Sequence, residues 1–134
     1  MHQLLLINSS QREEFIDITP QVEEVIGRSG MLSGLCNLYC RHTTAGLTVN
    51  ENYDPDVKRD MLLALRTAVP DTLDYRHSEG NSPAHVKASL MGCNLSLPFR
   101  QGQLYLGRWQ GVLFAEFDGP RSAREVLVSL IHLP

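Results

Sequence analysis

The sequence predicts an α+β domain, a compact sandwich-like arrangement of mostly antiparallel sheet with a few helices, and three observations carry that reading. Three polar-residue-plus-proline pairs, Thr19-Pro20, Asp54-Pro55 and Ser82-Pro83, each have the form of a helix start. Alternating apolar residues fill much of the remaining chain, as half-buried strands require. Strands and helices do not alternate regularly, which sets the chain apart from doubly wound parallel sheets. With 134 residues and 43% hydrophobic content, residues 1–134 suffice for a single domain with a real core.

Taken in order, residues 3–7 form an opening strand. Thr19-Pro20 starts a helix in which Val22, Val25 and Ile26 fall at helical spacing, and Gly30 should stop it. From Leu35 the period becomes two, placing Cys36, Leu38, Cys40 and His42 on one side and Asn37, Tyr39 and Arg41 on the other. His42 therefore closes an inward-facing row. Residues 47–50 read as a further short strand. Asp54 caps a helix whose Val57, Met61, Ala64, Leu65 and Ala68 make one apolar stripe, ending before Pro70. The polar, turn-rich stretch 72–82 leads to a short helix over 84–91 with Gly92 as its stop. Strands over 95–99, 104–106, 112–117 and 126–131, separated by glycine-containing turns, complete a meandering antiparallel sheet.

Composition narrows the function classes. Charged residues are 20% of the chain and the formal net charge is −3, so no field favours a nucleic-acid backbone. The run Leu4-Leu5-Leu6-Ile7 is too short for a signal core, and no stretch reaches membrane-spanning length, which points to the cytoplasm. Cys36, Cys40 and Cys93 are odd in number and show no close-paired spacing, and are expected as reduced, mostly buried thiols.

Three of the five histidines are candidates for chemistry. His42 ends a strand, His77 lies in a polar loop and His85 falls in the first turn of a helix. Three imidazoles on separate elements, with a position left open, suit a catalytic zinc-type ion, although magnesium, nickel or iron remain alternatives. Histidines held only by hydrogen bonds are the plainer reading. Around them cluster Thr43 and Thr44, then Glu51 and Asn52, and between the other two histidines Glu79 and Asn81. Glu79 and Glu51 could serve as general acid or base, whereas the asparagines could equally serve turns. Thr43, Thr44 and the start of the third helix offer hydroxyls and N–H groups to a phosphate, with Lys87 one turn on. Trp109 could stack on a ring substrate or close one end of the core.

These motifs together resemble the YjbQ-like family, which is associated with a secondary thiamine-phosphate synthase activity. The resemblance rests on the run from His42 to Asn52 followed by Asp54-Pro55-Asp56-Val57, on His77-Ser78-Glu79-Gly80-Asn81 with residues 84–90, and on Gly107-Arg108-Trp109-Gln110-Gly111 with residues 116–121. It implies a sandwich-like fold assembling as a homotrimer, with His42, His77 and His85 gathered in a metal-holding cleft beside Glu51, Asn52, Glu79 and Lys87. Arg108, Tyr53 and Cys93 depart from the family pattern without removing a ligand. Thiamine-phosphate synthesis joins a pyrimidine methyl diphosphate to a thiazole phosphate, yet no aspartate-rich diphosphate motif is present. Two functions therefore stand side by side: a metal-dependent enzyme, transferase or hydrolase, on a small phosphorylated or heterocyclic metabolite, and a non-catalytic trimer that binds metal or metabolite.

Overall fold

The computed structural model describes residues 1–134 and contains, in order, β1 (His2–Ile7), β2 (Glu14–Asp17), α1 (Thr19–Ser29), β3 (Ser33–Cys40), β4 (Ala45–Glu51), α2 (Pro55–Ala68), α3 (Ser82–Met91), β5 (Asn94–Arg100), β6 (Gln103–Leu104), β7 (Gln110–Glu116) and β8 (Arg124–His132). Five strands form one antiparallel sheet in the order β1-β8-β3-β5-β6, and three form a second in the order β2-β7-β4. The predicted α+β class is the one observed.

Alternation sets the core. In β3, Cys36, Leu38 and Cys40 are buried, and in β8 Val126, Val128 and Leu130 answer them. These side chains meet Ala45, Leu47, Val112 and Phe114 of the three-stranded sheet, while Ile18, Val22, Val25 and Ile26 around α1 close one end. Fully burying each large apolar side chain here contributes about 1.5–3 kcal/mol. The other face of the three-stranded sheet carries Phe15, Leu113, Ala115 and Phe117 and is covered by α2 and α3. Because β7 is covered on both faces, its residues 111–116 are all buried, and the strand reads as a nearly continuous apolar run.

Local details correct the expectations. β2 was not anticipated, since Glu14-Phe15-Ile16-Asp17 has only two apolar residues; it forms because its backbone pairs with β7. Thr19 is the first helical residue and not the cap, and its Oγ1 accepts from the Val112 N–H at 2.8 Å, tying α1 to β7. In α2, Ala64 and Ala68 are exposed, and Leu62 joins Met61 and Leu65 against the sheet. β3 ends at Cys40, so His42 lies beyond the row it was expected to close. β6 is only two residues long, whereas β8 begins at Arg124, earlier than expected. Gly30 ends α1 with φ +74°, as the stop signal requires. Of the cysteines, Cys36 and Cys40 are buried, but Cys93 is exposed. Burial pushes the Cys36 thiol up to about 12.

One close approach positions the helix that carries His85. A Cβ on Gly46 would lie 2.7 Å from the Gly92 carbonyl oxygen, so only glycine lets the end of α3 sit against β4. The Leu47 N–H donates to that same oxygen at 3.0 Å.

Candidate functional site

The site stands on a buried ion pair between the two sheets. Glu116, at the end of β7, is fully buried, and Arg124, at the start of β8, has a side chain only 5% exposed. Arg124 donates through Nε to Glu116 Oε1 at 2.9 Å and through Nη2 to Oε2 at 2.5 Å, and also to Thr44 Oγ1 at 2.9 Å. Ser9 Oγ and the Asp118 N–H donate to the same carboxylate, at 2.7 and 3.1 Å. Burial opposes the Glu116 charge, but these hydrogen bonds outweigh it and hold the carboxyl below its usual range. Thr44 is thereby consumed as a structural partner of Arg124.

Above this floor opens a cleft of about 420 Å³ lined by Arg41, His42, Thr43, Thr44, His77, Glu79, Asn81, His85, Asp118, Arg121 and Arg124, none of them hydrophobic. Its three histidines come from the β3–β4 connection, the loop before α3, and α3 itself. Ser9 Oγ accepts from the Arg121 N–H at 2.8 Å, which ties the 118–121 turn to the floor. Asp118 Oδ2 accepts from Arg121 Nη2 at 2.9 Å and from Asn81 Nδ2 at 2.8 Å. Those bonds fix the Asn81 amide, because turning it over would set two acceptors against each other. Asn81 Oδ1 is then left buried without a partner, an acceptor aimed at nothing in the protein.

His42 is held differently from the other two. Its Nε2 accepts from the Glu125 N–H at 2.7 Å, so that nitrogen must carry the lone pair and the ring proton belongs on Nδ1. Arg41 Nη1 donates to Glu125 Oε1 at 2.6 Å and completes that corner. Burial and then the neighbouring Arg124 charge push the His42 pKa below its usual 6.5, outweighing the opposite pull of Glu125 and Glu116. His77 and His85 instead face each other edge to face with ring centroids 5.4 Å apart, and Glu79 Oε2 stands 4.0 Å from His77 Nε2.

The donor set can be tested against a divalent ion. Two imidazoles on one tetrahedral ion, with metal–nitrogen bonds of about 2.0–2.1 Å, have ring centroids roughly 5 Å apart, which the His77–His85 pair matches. Asn81, the N-cap of α3 and four residues before His85, lines the same cleft and has the orphaned oxygen. No three His, Cys, Asp or Glu side chains converge closely enough to hold an ion. The cleft thus offers one facing pair of imidazoles, His77 and His85, whereas His42 was expected as a third ligand and is not available as one, because its Nε2 lone pair is taken by the Glu125 N–H and its Nδ1 carries the ring proton.

Among the other expected residues, Thr43, Thr44, Glu79 and Asn81 do line the cleft. Glu51 and Trp109 line a different hollow with Tyr53, Asp54 and Pro55, and Asn52 accepts from Lys58 Nζ at 2.7 Å. Trp109 is 48% exposed, packs edge to face with Tyr53 at 5.2 Å and lies under Arg108, so it closes no core. Lys87 is buried and lines neither hollow. Sequence reasoning missed Arg124, Glu116 and Asp118. The signal for Arg124 was its parity, since it shares the inward row of Val126, Val128 and Leu130, where a charge demands a buried partner.

Residues 3–133 match the family model described as UPF0047 protein YjbQ-like. The chain belongs to the YjbQ-like family. It is 46% identical to the UPF0047 protein of Methanocaldococcus jannaschii over 125 residues, 93% of this chain and 90% of that protein. It is 48% identical to YugU of Bacillus subtilis over 124 residues, 91% of this chain and 93% of that one. A crystal structure of a YjbQ/UPF0047 family protein from Clostridium acetobutylicum superposes with TM-score 0.93 at 48% identity, covering 96% of this chain and 99% of that one. A YbjQ-like protein of unknown function from Sulfolobus solfataricus does so with TM-score 0.93 at 29% identity, covering 99% and 97%. The names of these family members state no reaction.

Proposed function

We propose that this YjbQ-like chain is a metal-assisted enzyme acting on a small phosphorylated or heterocyclic metabolite, with thiamine-phosphate formation the first transfer to test and phosphoester hydrolysis the second. The observation that carries this reading is a cleft with no hydrophobic lining in which three arginines and three histidines converge. Arg41 and Arg121 each give one terminal nitrogen to a carboxylate and keep further N–H groups for phosphate oxygens, to which the Thr43 hydroxyl can add another. A ligand donor would complete Asn81 Oδ1. Glu79, beside His77, would accept a proton from an attacking water or return one to a leaving group. When bound at His77 and His85, a divalent ion, zinc first and magnesium, nickel or iron otherwise, would stabilise negative charge on the phosphate. Three free thiols and a phosphorylated substrate suit the cytoplasm.

A second reading, a non-catalytic homotrimer that binds metal or metabolite, is favoured by the outer face of the five-stranded sheet. There Leu4, Leu6, Tyr39 and Ile131 are exposed, and copies of the chain would cover them. Elemental analysis of tag-free protein, compared with His42→Ala, His77→Ala and His85→Ala, separates the readings when combined with assays of thiamine-phosphate formation and phosphoester hydrolysis. Metal lost from His77→Ala and His85→Ala together with activity supports the enzyme. Metal bound without turnover in either assay supports the binding trimer, with mass from light scattering as its second readout. Metal absent from wild type, with all variants behaving alike, defeats both metal readings.

A further inference from the structure

Helix α3 has two working faces. His85 faces the histidine cleft, whereas Lys87, two residues on and about 200° around the helix, faces a cavity of about 340 Å³ that shares no lining residue with the cleft. Lys87 is 3% exposed, and its Nζ has one protein acceptor, Glu13 Oε2, at 2.5 Å. An ammonium has three donors, so two N–H groups of a buried cation remain without a protein partner. Arg66, on α2, donates through Nε to Glu13 Oε1 at 2.8 Å and keeps both terminal amino groups free. Arg12 lines the same cavity, and its guanidinium makes no ion pair or hydrogen bond. Glu13 therefore has both oxygens occupied while three cations retain unused donors, and Asp71 is the only other carboxylate in the lining. Burial opposes the Glu13 charge, but its bonds to Lys87 and Arg66 outweigh burial and hold the carboxyl below its usual range.

We propose that this cavity is a second binding site, separate from the histidine cleft, that takes the oxyanion group, phosphate or carboxylate, of a small metabolite on Lys87, Arg66 and Arg12. Glu13 positions the lysine and one arginine, and the ligand supplies the acceptors the protein lacks. The volume lies at the small end for ligand sites, which suits an oxyanion with a few carbons. The site does not depend on metal or on turnover in the cleft.

The test is a titration of the full-length, isotope-labelled protein, free of divalent metal, with inorganic phosphate and separately with acetate, followed by backbone amide NMR against a sodium chloride control. Saturable shifts at residues 11–13, 66, 84 and 87 are expected with at least one anion, and which anion saturates first assigns the phosphate or carboxylate preference. Arg12→Ala and Arg66→Ala, on the open side of the cavity, should each weaken that binding at least about tenfold, as loss of a charge-assisted hydrogen bond implies. His85→Ala should leave it unchanged, and any shifts around residues 42–44 and 77–81 report the cleft independently. The proposal is overturned if neither anion shifts the cavity residues beyond the chloride control, or if binding there survives both arginine substitutions.

Discussion

Glu116 and Glu13 are both partly or wholly buried carboxylates held by cations, yet they are built for different ends. Glu116 is sealed: Ser9, Arg124 and the Asp118 N–H fill its oxygens, and Arg124 also donates to Thr44. Around Glu13 the carboxylate is filled but the cations are not, because Lys87 and Arg66 both retain donors that face a cavity. The first network joins two sheets and forms the floor of the histidine cleft. The second leaves an electrostatic deficit at an opening. A carboxylate satisfied from every side specifies structure, whereas several cations left with unused donors around one opening mark a place for a ligand.

The largest test of that contrast is Arg124→Met, which leaves the fully buried Glu116 without its countercharge. It should cost about 3–5 kcal/mol in urea denaturation, and adding Glu116→Gln should restore part of the loss. A cost below about 1 kcal/mol would mean the pair is not sealed. Lys87→Met should cost less, about 1–3 kcal/mol, because Glu13 keeps Arg66 and partial contact with water. Whichever of phosphate and acetate the cavity takes should raise the Tm of the wild type more than that of this variant, the cleft contributing equally to both; equal rises would remove the distinction between the two networks.

Acid sharpens the comparison further. Glu116 and Glu13 have folded pKa values below their usual 4.5, so their contribution is present above 4.5 and is lost as pH falls through the folded values. His42 acts in an earlier window. Its folded pKa lies below 6.5, so the unfolded chain takes up its proton first and stability declines as pH drops from 6.5 toward the folded value. His42→Gln, whose amide oxygen can still accept from the Glu125 N–H, should remove that first decline and leave the carboxylate-dependent one, as followed by Tm against pH. The smallest stability effect is expected for the partly exposed His85→Ala, within about 0.5 kcal/mol, while metal retention is lost. A larger destabilisation would assign His85 a structural role.

How much was readable beforehand differs between these regions. The helix starts at Pro20, Pro55 and Pro83, the stops at Gly30 and Gly92, and the inward row of β3 follow from local rules, because caps and alternation are properties of neighbouring residues. The gathering of His42, His77 and His85 around one cleft was anticipated through whole-chain motifs, as was the presence there of Thr43, Glu79 and Asn81. Lys87 was expected beside them, but its helical phase turns it away from His85, and only the packing of α3 on β4 shows which face looks at which cavity. Glu51, Asn52 and Trp109 follow the His42 motif closely or recur in the family pattern, yet β4 carries its far end to another hollow, since a strand separates its two termini by its full length.

By itself, the sequence determined the fold class, the family, the principal helices and strands, and the separate elements that carry His42, His77 and His85. These are legible because periodicity, turn chemistry and long ordered motifs are written in consecutive residues. Only the tertiary structure decided that Arg124 pairs with Glu116 beneath the cleft, that the Glu125 N–H claims His42 Nε2, and that Lys87 meets Glu13 across 74 positions of chain. Each of those contacts joins elements whose distance and facing are fixed by sheet register and helix packing, and no local pattern encodes them.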